Sequence, residues 1–230
     1  MVKKLEILGV RLDNYTVREA MLKIEVCWNN TIMSTVETIS MDTLVKAQSD
    51  ELVKNCIESL DLAIICDKEI LKAAGLVSSQ RMKETDEGEF LKEFLRRIVR
   101  NRRTVYLLGE TDEQLGMIQE YLNEKYERIK VAGMYALSAC NGDYDAVINE
   151  INIATPDAIL SVIPTPQQEY FLKEHKEKLN AKIWYGLGQD YAGRQGKSEV
   201  VSFARKLIQK GILHTRLMRY KKNDSEEGNE

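Results

Sequence analysis

At 230 residues the chain can bury roughly 70–75% of its unfolded surface, so one large domain, or one domain with an appendage, needs no staples. Its 33 basic and 36 acidic residues leave a net charge of −3, which offers no global electrostatic case for nucleic acid. Four scattered cysteines, Cys27, Cys56, Cys66 and Cys140, match neither zinc nor redox spacing and read as buried thiols of a reducing compartment. No apolar run approaches the ~20 residues that span a bilayer, and no signal-peptide core follows the first Met. The expected setting is the cytoplasm.

Residues 5–10 read as a first strand and 13–14 as a turn. Thr16, with Glu19 three residues on, forms a capping box for a helix running to about Trp28. Residues 31–39 form a β-branched second strand. Ser40 and Ser49 look like caps of two short helices. Residues 62–66, Leu-Ala-Ile-Ile-Cys, suit a strand buried on both faces. Asp67 follows at once, 68–74 reads as a helix, and Gly75 stops it. Residues 81–88 are polar and read as a loop. A helix over 89–102 ends in a basic cluster that suits the negative end of its dipole. A buried strand over 104–108 stops at Gly109, and Thr111 with Gln114 makes a second capping box. Strands at 131–134, 158–163 and 182–187 follow, separated by helices at about 144–153 and 166–179. This alternation predicts an α/β fold, a doubly wound, mostly parallel, Rossmann-like sheet.

The C-terminal forty residues differ. From 200 to 222 there is no acidic residue, and seven Lys or Arg are interspersed with Leu, Ile, Met and Tyr. Such a stretch can lie on an anionic membrane surface; it can equally be a terminal helix with a solvated basic face. The expected organisation is an α/β domain over 1–199, a basic helical appendage over 200–222 and a disordered acidic tail over 223–230.

In open parallel sheets, ligands bind outside the carboxyl ends of the strands, which is where Asp67 falls. Asp67 can also serve simply as the cap of the next helix. Residues 163–169, Ile-Pro-Thr-Pro-Gln-Gln-Glu, allow Thr165 as N-cap, Pro166 as first helical residue and Gln168 as capping-box partner. On the same edge Gln168 and the helix amides could instead meet a diphosphate. Thr38, Asp67, Arg81 and Asp190 would gather there. Residues 193–198, Gly-Arg-Gln-Gly-Lys-Ser, end like a phosphate-binding loop, but the first Gly would have to stand at Tyr191. The dinucleotide fingerprint begun at Gly186 and Gly188 lacks its third Gly, which argues against a nicotinamide or flavin. His175 and His214 lack clustered carboxylates or cysteines, so neither a metal site nor a serine-type triad is expected. No cofactor is implied.

Taken in order, several segments resemble the WecG/TagA/CpsF family of bacterial glycosyltransferases. They are 7–13 (ILGVRLD), Thr38 with the helix after it, Cys66-Asp67-Lys68 in the place of Pro-Asp-Gly, and 81–86 (RMKETD) in that of Arg-Val-Thr-Gly-x-Asp. Further on come 105–109 (VYLLG), 166–169 for Pro-x-Gln-Glu, and 186–193 (GLGQDYAG) for a Gly-rich, Asp-containing loop. The resemblance spans about residues 5–220. It implies transfer of N-acetylmannosamine or a related sugar from a UDP-sugar to a polyprenyl-diphosphate-linked acceptor in cell-surface polysaccharide synthesis. The enzyme would be peripheral at the inner face of the cell membrane, bind no nucleic acid, and could assemble with copies of itself. Asp67 matches the family's catalytic base. Thr38, Ser40, Arg81, Gln168 and Asp190 match substrate-holding positions, and Arg216 a membrane-contacting tail Arg. Against the family pattern, Cys66 and Lys68 replace Pro and Gly, Ser40 replaces Asn, Lys83-Glu84 replaces Thr-Gly and Pro164 replaces Gly. The alternative these departures raise is a non-catalytic relative that binds a nucleotide-sugar, a lipid carrier or a partner enzyme.

Overall fold

The structure, a computed structural model, describes residues 4–188 except Val77 and Asn141. Asp190, His214, Arg216, the 193–198 loop, the basic 200–222 stretch and the acidic tail therefore lie outside the described residues.

The chain opens on an antiparallel hairpin rather than on a strand of the main sheet. β1 (Lys4–Ile7) and β2 (Val10–Asp13) pair with each other and form a separate two-stranded sheet. Leu8 and Gly9, with φ of 54° and 71°, make the turn between them. Two successive positive φ values match the twist of a hairpin, but Leu is an unusual residue to supply one. The single strand expected over 5–10 is therefore broken in its middle.

The main sheet has six strands, all parallel: β3 (Ser34–Ile39), β4 (Leu62–Ile65), β5 (Thr104–Gly109), β6 (Lys130–Ala136), β7 (Ala158–Ser161) and β8 (Ile183–Gly186). Their spatial order is β4-β3-β8-β7-β5-β6. Between them run α1 (Val17–Cys27), α2 (Met41–Ala47), α3 (Glu51–Glu58), α4 (Lys68–Ala73), α5 (Ser79–Asp86), α6 (Glu89–Arg100), α7 (Asp112–Lys125), α8 (Asp145–Ala154) and α9 (Gln167–His175).

Successive strand residues point to opposite faces, so each central strand feeds two cores. Val36, Val105, Leu107, Leu160 and Tyr185 pack against α1, α6 and α7. Tyr106, Leu108, Ile159 and Trp184 pack against α8 and α9. The first core is built around Phe94, which α6 presents together with Phe90, Leu95 and Ile98. Its ring lies 5.9 Å from that of Trp28 and 5.1 Å from that of Tyr185. Burying one such side chain contributes about 1.5–3 kcal/mol. Helices on both faces of a parallel sheet are the expected doubly wound architecture.

Two helix starts and one loop differ from expectation. Asp50, not Ser49, caps α3, its Oδ1 accepting the amides of Leu52 and Val53 at 3.0 and 3.2 Å. Ser49 instead donates to the Lys46 carbonyl. The polar 81–88 segment is largely helical, as α5. It lacks an apolar stripe and is held by ion pairs, Arg81 to Glu84 and Lys68 of α4 to Asp86 at 2.7 Å, and by a hydrogen bond from Gln80 to Glu84. The third difference, at α9, bears on the site.

Candidate active site

The carboxyl ends of β3 and β4 stand side by side, with Thr38 opposite Ile64 and Ile39 opposite Ile65. Asp67 follows two residues later, half-buried, at the N-cap of α4. Among the described residues its carboxylate accepts one hydrogen bond, from the Glu69 amide to Oδ1 at 3.1 Å, and its backbone carbonyl accepts the Ile70 amide. The cap and the rim position thus coexist in one residue. Thr38 Oγ1 lies 3.1 Å from the Tyr185 hydroxyl. Ser40 is buried and caps α2, its Oγ accepting the Thr43 amide at 3.2 Å and lying 3.0 Å from Thr43 Oγ1.

Gln168 reaches the same edge from the other face of the sheet. α9 begins at Gln167, with Pro166 at the cap position and no side chain capping it. Thr165 does not act as the expected N-cap; its hydroxyl donates to Glu169 Oε1 at 2.8 Å. Nor does Gln168 close a capping box. It turns inward, 2% exposed, because Gly186 of β8 leaves room for it: a Cβ on Gly186 would fall 2.5 Å from Gln168 Nε2. The Gln168 amide N–H is already bonded to the Pro164 carbonyl at 3.0 Å. Thr38, beside Tyr185, and Gln168, over Gly186, therefore approach the rim from opposite faces.

Arg81 is less available than expected. Its Nη1 binds Glu84 Oε2 at 3.2 Å, and both side chains are largely covered. The same Glu84 oxygen accepts the Val17 amide at the start of α1, at 3.2 Å. Glu84 therefore ties α5 to α1 as well as pairing the guanidinium. Lys68, next to Asp67, has its ammonium drawn to Asp86. So Thr38, Ser40 and Asp67 share the ends of adjacent strands and Gln168 joins through β8, while Arg81 is held on α5 by an internal carboxylate.

Sequence reasoning missed Glu37 and Glu169. Both are almost fully buried, at 1% and 0% exposure. Burial pushes the Glu37 carboxyl well above the ordinary 4.5, and the neighbouring Glu169 pushes it the same way. Glu169 is also raised by burial, which outweighs the Thr165 hydrogen bond that opposes it. The available signal was a carboxylate in mid-strand of a β-branched segment, where a doubly covered sheet leaves no water for it.

The family model of the glycosyl transferase WecG/TagA/CpsF family matches residues 5–193. The chain belongs to this family. Individual relatives are distant. The N-acetylglucosaminyldiphosphoundecaprenol N-acetyl-beta-D-mannosaminyltransferase of Staphylococcus aureus (strain MRSA252) is 23% identical over 205 residues, covering 88% of this chain and 77% of the relative. Proteins of the same name from strains NCTC 8325 / PS 47 and N315 are 22% identical over the same shares of each chain. The matched range takes in all six strands of the parallel sheet. No helix among the described residues is long and apolar enough to cross a membrane.

Proposed function

We propose that this WecG/TagA/CpsF family member transfers N-acetylmannosamine, or a closely related sugar, from a UDP-sugar to a polyprenyl-diphosphate-linked sugar acceptor. The observation that carries this reading is the half-buried Asp67 carboxylate just past the end of β4, the strand paired with the one that carries Thr38, with Oδ1 spent on the helix cap. Family membership over 5–193 and the names of the relatives agree with it. The acceptor hydroxyl gives its proton to Asp67 as its oxygen bonds to the anomeric carbon. The bond from that carbon to the UDP oxygen breaks, and UDP leaves with the electron pair. General-base assistance of this kind contributes typically ~10²–10⁴-fold. An aspartate is ordinarily a weak base, so a positioned acceptor must supply the rest.

Thr38, Ser40 and Gln168 hold substrate at the rim in this reading, together with Asp190. Arg81, once released from Glu84, meets the charge on the leaving diphosphate. The basic stretch over 200–222, including Arg216, brings the enzyme to the membrane that carries its acceptor. The chemistry requires no metal or cofactor. Engagement of Arg81 by Glu84 and of Lys68 by Asp86 favours a second reading, a relative that binds a nucleotide-sugar, lipid carrier or partner enzyme without turnover. Purified protein given UDP-N-acetylmannosamine and a short-chain diphosphate-linked acceptor is expected to release UDP, and Asp67→Asn to abolish release with an unchanged circular dichroism spectrum. Equal rates would remove Asp67 from the mechanism. No turnover with any UDP-sugar would favour the binding-only reading.

A further inference from the structure

A cluster of buried side chains beneath the rim contains acceptors and too few donors. Both oxygens of Glu37, Oε1 of Gln168 and Oε2 of Glu169 are buried without a hydrogen-bond partner among the described residues. The topology places them together. Glu37 of β3 is paired in register with Gly186 of β8. The Gln168 amide fills the space over Gly186 that a side chain would take, and Glu169 is the next residue of α9. Adjacent strands lie about 4.8 Å apart, so the Glu37 carboxyl stands beside the Gln168 amide, on the face that α9 covers. Two ionised carboxylates there would repel, and neither Glu37 oxygen accepts a hydrogen bond among the described residues, the Gln168 side-chain N–H groups included; an unpaired buried charge is neutralised before it is tolerated. A single proton on Glu37 resolves the mismatch, because a neutral carboxyl donates an O–H to one orphaned oxygen while keeping its carbonyl.

We propose that Glu37 is a neutral carboxylic acid in the folded protein and that its O–H, donated to Gln168 or Glu169, positions the Gln168 amide at the rim. The role of Gln168 toward substrate rests on the function proposed above; the protonated cluster does not. Glu37 is thus a positioning residue, acting through Gln168. The groups around it are Glu169 from α9 and Cys56 from α3, whose thiol is itself pushed up by burial and by both acids. Lys46 and Asp50 act on Glu169, and Lys173 and Lys176 on Cys56, from farther out. The acids titrate as a pair. Since burial and mutual repulsion raise the folded-state value above the ordinary 4.5, the contribution to stability is complete below that pH and is lost as pH rises through the folded value.

The test uses the full chain and Glu37→Gln, which keeps the size and a donor N–H but cannot ionise. In the unmutated protein the infrared carbonyl band of a protonated carboxyl is expected at neutral pH. The thermal midpoint should fall as pH rises above 4.5, and the side-chain amide NMR signals of Gln168, assigned by their loss in Gln168→Leu, should shift as the infrared band disappears. In Glu37→Gln the band disappears, the midpoint loses most of its pH slope and the Gln168 signals stay fixed. If Glu37→Gln does not fold, the infrared band and the Gln168 signals of the unmutated protein decide alone. An unchanged pH slope in Glu37→Gln, absence of the band, or Gln168 signals that stay fixed while the band disappears would overturn the proposal. Failure to release UDP would count against the transferase reading only, since none of these readouts requires turnover.

Discussion

Gly186 shows how one missing side chain shapes the rim. Nothing in its backbone demands glycine, because its φ lies outside the left-handed region. The demand comes from Gln168, whose amide occupies the space where a Cβ would stand. Gly186→Ala should therefore push Gln168 outward and cost about 1–3 kcal/mol, as overpacking of a closed core does, read as a lower denaturant midpoint. Adding Gln168→Ala should recover part of that loss; a double variant as unstable as Gly186→Ala would show that the crowding lies elsewhere. Thr38 is set by a neighbour too, but a different one: its hydroxyl meets that of Tyr185, whose ring is wedged edge-on against Phe90 and Phe94. The position of Thr38 thus depends on the aromatic core of the opposite face. Asp67 depends mainly on local chain, being fixed by the amide of Glu69 two residues on.

α9 carries the most unusual set of buried polar groups among the described helices. Besides Gln168 and Glu169 it buries His175, whose two ring nitrogens have no hydrogen-bond partner and whose ring lies 4.9 Å from that of Phe171 and 5.3 Å from that of Tyr144. Burial lowers the His175 pKa from 6.5, against the opposing pull of Glu174. The unfolded chain then takes up a proton more readily than the folded one, so the stability contribution is complete above pH 6.5 and is lost as pH falls. His175→Phe should flatten the decline of the melting temperature between neutral and mildly acidic pH; an unchanged decline would assign it to other groups. α9 thus combines acids favoured at low pH with a histidine favoured at high pH. α5 is held differently, through Glu84, which serves Arg81, Gln80 and the first turn of α1 together. Glu84 thus joins α5 to α1 as well as pairing with Arg81.

For the whole molecule, net charge says little about partners while charge distribution says more. In a chain of net charge −3, residues 200–222 carry seven Lys or Arg and no acid, and each Lys or Arg near an anionic surface contributes about 1 kcal/mol. Pelleting of the full chain with anionic vesicles should fall steeply as salt rises, and removal of 200–230 should abolish it; binding indifferent to salt would exclude an electrostatic attachment. The crossovers also bear on where substrate lies. β5 leads into α7 on one face and β7 into α9 on the other, and neighbouring strands whose connections part this way leave a crevice beyond their carboxyl ends. The loop before α9 borders that crevice, with Asp67 two strands beyond β7's neighbour β8.

Much of this was legible along the chain because it is local. The two capping boxes, Thr16 with Glu19 and Thr111 with Gln114, lie within one helical turn and form as expected. The alternation of short apolar runs with helices implied a parallel sheet, since a strand covered on both faces needs no polar residues in its pattern. Asp67 at a strand end followed from the same reasoning. The hairpin was not legible, because Leu8 carries no turn signature. Neither was the helical state of α5, whose order comes from ion pairs rather than from an apolar stripe. Thr165 and Gln168 fit a cap in sequence, yet Gly186, eighteen residues on from Gln168, opened a buried place for the amide instead. What the linear order of residues determined, then, was which segments become strands and helices and which polar groups end them. Only the tertiary structure decided which of those groups lose their water and which acquire a partner, since register across β3 and β8 and closure of α9 over them bring together residues more than a hundred positions apart.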